Sequence, residues 1–123
     1  MENVIFINNP SDEDLLSLYK NAVATVIPSF MEGFSLTAVE AMSTGCPVVA
    51  SDIKVHREIC KDAALFFNPS EINDIKEKLG IILEDNIQRE KIVQKGYQRV
   101  KYFSWEEMAK ETLDIYESSN SIR

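Results

Sequence analysis

Short apolar runs alternate along this chain with segments of helical periodicity, and that alternation constrains the fold more than any other feature. "NVIFI" (residues 3–7) is followed by "PSDEDLLSLYKNA", in which Leu15, Leu18 and Tyr19 share a helical face. "ATVIP" comes next, then a helical stretch from Leu36 to about Ser43, then "PVVAS", a short helical turn at "HREIC", and "AALFF". Strands that recur between helices are joined by crossovers, so the sheet is expected to be mostly parallel and covered by helices on both faces. The predicted fold class is α/β: a Rossmann-like three-layer α/β/α arrangement with four strands. After the fourth strand, Ile72, Ile75, Leu79, Ile82 and Leu83 recur at helical spacing, and residues 87–100 and 105–116 continue as helices.

Local signals place the element ends. Ser11 can cap the first helix, with Asp14 in the capping-box position. Ser35 is the expected N-cap of the helix from Leu36, and Gly45 its C′ residue before Pro47. At 123 residues the chain reads as a single domain, 1–123, with residues 117–123 a polar tail expected to fray.

Charge and cysteine usage narrow the function. A formal net charge of -7 argues against nucleic acid as a partner, since phosphate-backbone binding draws on a basic surface. Cys46 and Cys60 form no C-x-x-C pair, and with His56 the single histidine they are too few for a structural zinc site. Both are expected to be reduced thiols in a cytoplasmic protein. No apolar run approaches the roughly 20 residues that span a bilayer.

The stretch "MEGFSLTAVEAMSTGCPVV" (residues 31–49) carries the chemistry. In an open α/β sheet ligands bind at the carboxyl ends of strands, beside helix N-termini with unpaired N–H groups. Glu32 would lie on the loop after "ATVIP", and Glu40 one to two turns into the following helix. Gly33 lets the backbone approach a ligand closely, and the amides of Phe34 to Leu36 can face a phosphate or a sugar hydroxyl. A carboxylate accepts two hydrogen bonds and so suits a vicinal diol. A ligand with both phosphate and diols is a nucleotide sugar.

The run from Glu32 to Met42, preceded by Pro28-Ser29 and followed by Gly45-x-Pro47-Val48-Val49, resembles the E-x7-E region of group 1 (GT4) retaining glycosyltransferases of the GT-B fold. "SDEDLLSLYKNA", "HREICKDAALFFNP" and "FSWEEMAKETLDIY" are similar to later parts of that family's C-terminal, nucleotide-sugar-binding domain. The resemblance implies that Glu40 binds the ribose hydroxyls of the donor. It implies that Glu32 lies by the transferred sugar as the catalytic carboxylate, supporting oxocarbenium-like charge. Gly33, Phe34, Ser35, Leu36 and Thr37 match the loop that meets the donor sugar and its diphosphate. Many members have glycine where Ser35 stands and proline at Thr37. The family's arginine–lysine pair, which neutralises the leaving diphosphate, lies on earlier loops than any in this chain. The N-terminal acceptor-binding domain is likewise not represented, so the chain is expected to bind donor but not to catalyse transfer alone.

The implied function is donor binding within a retaining glycosyltransferase that uses a UDP- or GDP-sugar and transfers a hexose in bacterial polysaccharide or lipopolysaccharide synthesis, with mannose favoured. The parent is expected in the cytoplasm, with peripheral attachment to the inner face of the membrane open. No cofactor and no metal are expected: Asp12-x-Asp14 is similar to the metal-binding D-x-D of another glycosyltransferase fold, but capping explains it. A 2-epimerase-like enzyme and a non-catalytic nucleotide-binding module are the alternatives. His56 is expected in a loop or packing role, Trp105 in packing, with the N-terminal domain that the family's last helix crosses back toward as one partner, and Arg89, Lys91, Lys95, Arg99 and Lys101 on a solvated helix face. In the family's strand order, 3-2-1-4-5-6, two strands would lie between "NVIFI" and "ATVIP". "NVIFI" is therefore expected either to pair directly with "ATVIP" or to cross to another copy, giving an edge-paired or strand-swapped oligomer.

Overall fold

The computed structural model describes residues 2–120. Nine elements follow in order: α1 (Asp12–Asn21), β1 (Thr25–Ile27), α2 (Leu36–Ser43), β2 (Val48–Ser51), α3 (Lys54–Cys60), β3 (Ala64–Phe67), α4 (Ile72–Glu84), α5 (Asn86–Val100) and α6 (Trp105–Asn120). The three strands form one parallel sheet in the order β1-β2-β3, with Val26 opposite Val49 and Val49 opposite Leu65. α2 and α3 are the crossovers that parallel pairing requires.

β2 is buried along its whole length, as the middle strand of a sheet covered on both faces should be. Its side chains alternate between two apolar clusters. Val48 and Ala50 join Ala38, Ala41 and Met42 of α2 and Ile59 and Cys60 of α3. Val49 joins Phe67, Ile82 and Ile92 on the other face, beside Leu65, Ile75 and Leu79. Full burial of Phe67 and Ile82 contributes about 1.5–3 kcal/mol each. α5 also rests against α2: a Cβ at Gly96 would stand 3.3 Å from Met42 Cγ and 3.6 Å from its Cα. The three-layer α/β expectation therefore holds, and helices over 36–43, 72–84 and 86–100 stand where periodicity placed them.

The ends depart from expectation. "NVIFI" forms no strand and does not pair with β1, whose sheet partner is β2. Ile5 and Phe6 are 85% and 79% exposed. A strand exists only through hydrogen bonds to a neighbour, and among the described residues no strand pairs with residues 3–7. α6 runs through Asn120, into the stretch expected to fray; residues 121–123 lie outside the described residues. α6 has no buried residue; its Trp105 is 77% exposed and lines a small hollow with Phe34 and Phe103.

The helical basic set is not wholly solvated either. Arg99 donates to the carbonyls of Ile59 (2.7 Å) and Glu58 (3.0 Å), tying α5 to the end of α3. Arg89 donates to the Ile82 carbonyl at 2.8 Å, and Lys95 pairs with Asp62 at 3.2 Å. Helix-end carbonyls without intrahelical partners attract such cations, a use that charge spacing alone does not reveal.

Candidate functional site

Glu40 projects from the middle of α2. That helix buries Ala38, Ala41 and Met42, so its register is fixed by the core and Glu40 is carried on the opposite side. Facing it is α1, started by a complete capping box: Ser11 Oγ accepts from Asp14 N at 3.1 Å, and Ser11 N donates to Asp14 Oδ2 at 3.2 Å. Tyr19 on α1 donates its hydroxyl to Glu40 Oε2 at 3.0 Å. Burial, and then the Glu40 carboxylate that accepts this proton, push the Tyr19 hydroxyl up to about 12; the Thr37 hydroxyl works the other way. The bond takes one carboxylate oxygen of Glu40 and fixes its rotamer. A hollow of about 330 Å³ lined by Asp12, Leu15, Leu16, Tyr19, Glu40, Ser43 and Thr44 lies beside the pair.

Glu32 is held differently. It stands half-buried on the loop between β1 and α2, where Ser29 Oγ donates to its Oε1 at 2.6 Å. The Ser29 carbonyl accepts in turn from Ser51 Oγ at the end of β2. Ser51 Oγ lies 3.0 Å from His56 Nδ1, and that nitrogen lies 2.9 Å from the Ser51 carbonyl oxygen. His56 is on α3 rather than in a loop, and its side chain is fully buried.

Between the two glutamates lies the α2 N-terminus. Ser35 occupies the cap position but does not cap: its φ of 73° is left-handed, its side chain makes no capping bond, and its Oγ is buried without a partner. That corrects the N-cap expectation: Ser35 holds a left-handed conformation that glycine alone reaches without steric cost. The first amides of α2, among them those of Leu36 and Thr37, are thus left without a side-chain acceptor. Gly45, φ 77°, ends the helix as expected of a C′ glycine.

The expected site residues divide into two groups. Glu40 and Thr37 lie by Tyr19. Phe34 and Leu36 instead line a smaller hollow of about 90 Å³ with Phe103, Trp105 and Met108, and Phe34 meets Phe103 edge-to-face at 5.8 Å. Gly33 is exposed beside Glu32, with open space around its Cα. Larger hollows of about 570 and 500 Å³ lie along α5 and contain no residue of the motif. Tyr19, Ser29 and Ser51 are the polar partners that sequence reasoning missed. In sequence Tyr19 only shares a helical face with Leu15 and Leu18, and its position one helix away from Glu40 in space gives it a polar role. Cys46 and Cys60 are free and buried; burial pushes the Cys60 thiol up to about 11.

The glutamates, the uncapped helix start and the parallel sheet edge bear on family membership. The model of the family described as "Glycosyl transferases group 1" matches residues 1–99. The chain belongs to this family. Over 105 residues this glycosyl transferase group 1 domain is 40% identical to the O-antigen chain mannosyltransferase B of Escherichia coli, a match covering 85% of the chain and 28% of that protein. It is 35% identical over 113 residues to the MMP alpha-(1->4)-mannosyltransferase of Mycolicibacterium hassiacum, covering 89% of the chain and 28% of that protein. Among solved structures it is similar to the sucrose-phosphate synthase from Thermosynechococcus elongatus, with a TM-score of 0.85 at 28% identity, over 99% of this chain and 31% of that one. The domain therefore spans less than a third of the length of these relatives. No helix among the described residues is long and apolar enough to cross a membrane.

Proposed function

We propose that this domain holds the nucleotide-sugar donor of a retaining glycosyltransferase, with Glu40 on the ribose hydroxyls and Glu32 on the transferred sugar. The observation that carries the reading is the matched state of the two carboxylates. Each accepts one hydroxyl from the protein, Tyr19 on Glu40 and Ser29 on Glu32, which leaves its second oxygen to accept from a ligand. In sequence Glu32 precedes and Glu40 follows a helix start whose amides lack a side-chain cap, and such amides suit a diphosphate.

In such a complex Glu40 fixes the nucleoside and the α2 amides meet the diphosphate. Glu32 then accepts hydrogen bonds from the sugar and, as positive charge grows at the anomeric carbon, stabilises it from a fixed position. The mannosyltransferases among the relatives, one of them of the O-antigen chain, favour a mannosyl donor in building a bacterial polysaccharide.

Ligand-observed NMR of the chain against UDP, GDP, ADP and their sugar conjugates tests the reading. One base is expected to bind and to lose its signal in Glu40→Ala, while Glu32→Ala retains the nucleotide and loses the gain that the sugar provides. If all six ligands stay free, or if Glu40→Ala binds as well as the parent, the donor-site reading falls.

A further inference from the structure

Ser51 and His56 are both fully buried polar side chains, placed where β2 meets α3 among apolar neighbours. Burying polar groups in a core opposes folding unless they are fully hydrogen-bonded, and these are not: His56 Nε2 is buried with no partner. An alanine and an aliphatic residue would fill the same space without that cost, so the pair calls for a reason beyond packing.

The hydrogen bonds supply one. Ser51 Oγ has a single proton, and the Ser29 carbonyl can only accept, so that proton goes to Ser29. Ser51 Oγ must then accept from His56 Nδ1. The Ser51 carbonyl, 2.9 Å from the same nitrogen, can also only accept. Both contacts require the tautomer with hydrogen on Nδ1, which in the neutral ring leaves the buried Nε2 with a bare lone pair. Ser29 is therefore gripped on two sides: its carbonyl is pinned to β2 through Ser51, and its hydroxyl is spent on Glu32 Oε1.

We propose that Ser51 and His56 are positioning residues, a buried clamp that fixes the loop carrying Glu32. This inference rests on the reading that Glu32 faces the donor's sugar. The chain of bonds is no proton wire, because it enters Ser29 at the carbonyl and leaves at the hydroxyl, two groups that exchange no proton. Its output is geometry. Pro28 before Ser29 has no N–H to anchor the loop, so the Ser29 carbonyl is the loop's first tie back to the sheet.

The test has a ligand-free arm and a ligand arm, both on the full 123-residue chain. In the first, long-range proton–nitrogen correlation of the unaltered protein is expected to show hydrogen on His56 Nδ1. Amide relaxation is expected to show residues 29–34 loosening in Ser51→Ala and His56→Phe while residues 36–43 keep their order. His56→Asn, whose amide N–H can stand near the place of Nδ1–H, is expected to restore the loop. In the ligand arm, affinities for GDP and GDP-mannose are compared, and for UDP and UDP-glucose. The clamp variants should weaken the nucleotide sugar by about tenfold, as one lost hydrogen bond to a charged group would, and leave the bare nucleotide unchanged. Hydrogen on Nε2, an unloosened loop, or an equal loss for nucleotide and nucleotide sugar would each overturn the clamp. If the unaltered chain binds neither ligand, the donor reading falls, and tautomer and relaxation still decide whether the clamp exists.

Discussion

Glu32 and Glu40 carry the same chemistry on two unlike supports. Glu40 rides a helix whose other side is core, and its position follows from Ala38, Ala41 and Met42 being buried. Glu32 sits on a loop whose adjacent apolar residues, Phe30 and Met31, are exposed, with Phe34 against Phe103 the loop's apolar contact, and its own carboxylate is placed through hydrogen bonds that lead back to β2 and α3. The helix-borne group is fixed by non-directional packing spread over many atoms, the loop-borne one by a few directional bonds. The first support should fail only when the fold fails. The second should fail alone.

The largest effect should come from breaking the packed support. Met42→Ala empties a fully buried site between α2 and α5 and should destabilise the fold by about 2–5 kcal/mol, measured by urea denaturation. Because α2 carries Glu40, nucleotide binding and stability should decline together. Binding that survived unchanged in a protein destabilised by that amount would show that Glu40 does not depend on the packing of α2.

This contrast also sets how much of the molecule could be read from the sequence. The span of α2 was legible, because apolar spacing, Gly45 and Pro47 all agree on where it lies. β2 was legible as an unbroken apolar run between two buried faces. "NVIFI" has equal β propensity and forms no strand, since propensity names a candidate and pairing decides. The E-x7-E spacing located both carboxylates. It could not locate Tyr19, Ser29 or Ser51, whose roles depend on which hydroxyl meets which oxygen across 21 residues of chain in one case and 22 in another. Ser35 shows the same limit: a serine before a helix predicts a cap, and only the backbone dihedral reveals that the cap is absent.

Ser35 stands at the joint between the two supports and gives the next effect in size. Ser35→Gly should relieve a left-handed residue and remove an unpartnered buried hydroxyl, stabilising the fold by about 1 kcal/mol in the same denaturation experiment. A loss of stability would mean that the Ser35 hydroxyl has a partner in solution.

Tyr19→Phe sharpens the comparison from the Glu40 side. It leaves the packing of α1 in place and removes the hydroxyl that fixes the carboxylate, so nucleotide affinity should fall by about three- to tenfold with little change in stability. The fold also holds this hydroxyl protonated past its ordinary value of 10, up to about 12. Its contribution to stability is therefore complete below pH 10 and is lost as pH rises toward 12. Stability measured across that window should decline more steeply in the unaltered protein than in Tyr19→Phe. Equal slopes would show that the Tyr19 hydroxyl is neither buried nor bonded to Glu40 in solution.

The smallest effect is expected next door to the clamp. Asp52 follows Ser51 in sequence, yet its carboxylate turns outward and accepts from Arg57 at 2.6 and 2.8 Å, with both side chains about half exposed. The Arg57 hydrogen bond holds the Asp52 carboxyl below its ordinary value, so whatever the pair adds is present above pH 4 and lost as pH falls through that lowered value. Water and salt screen such a pair, and Asp52→Asn should change stability by about 0.5 kcal/mol or less. Arg57 keeps a second hold in any case, since its guanidinium lies 4.1 Å from the centre of the Phe66 ring. If the Glu32 loop is fixed by bonds rather than by proximity, Asp52→Asn should leave the relaxation of residues 29–34 untouched while Ser51→Ala, one residue earlier, loosens them. Equal loosening in both would assign the loop's order to the end of β2 as a whole, and the directional support of Glu32 would reduce to packing after all.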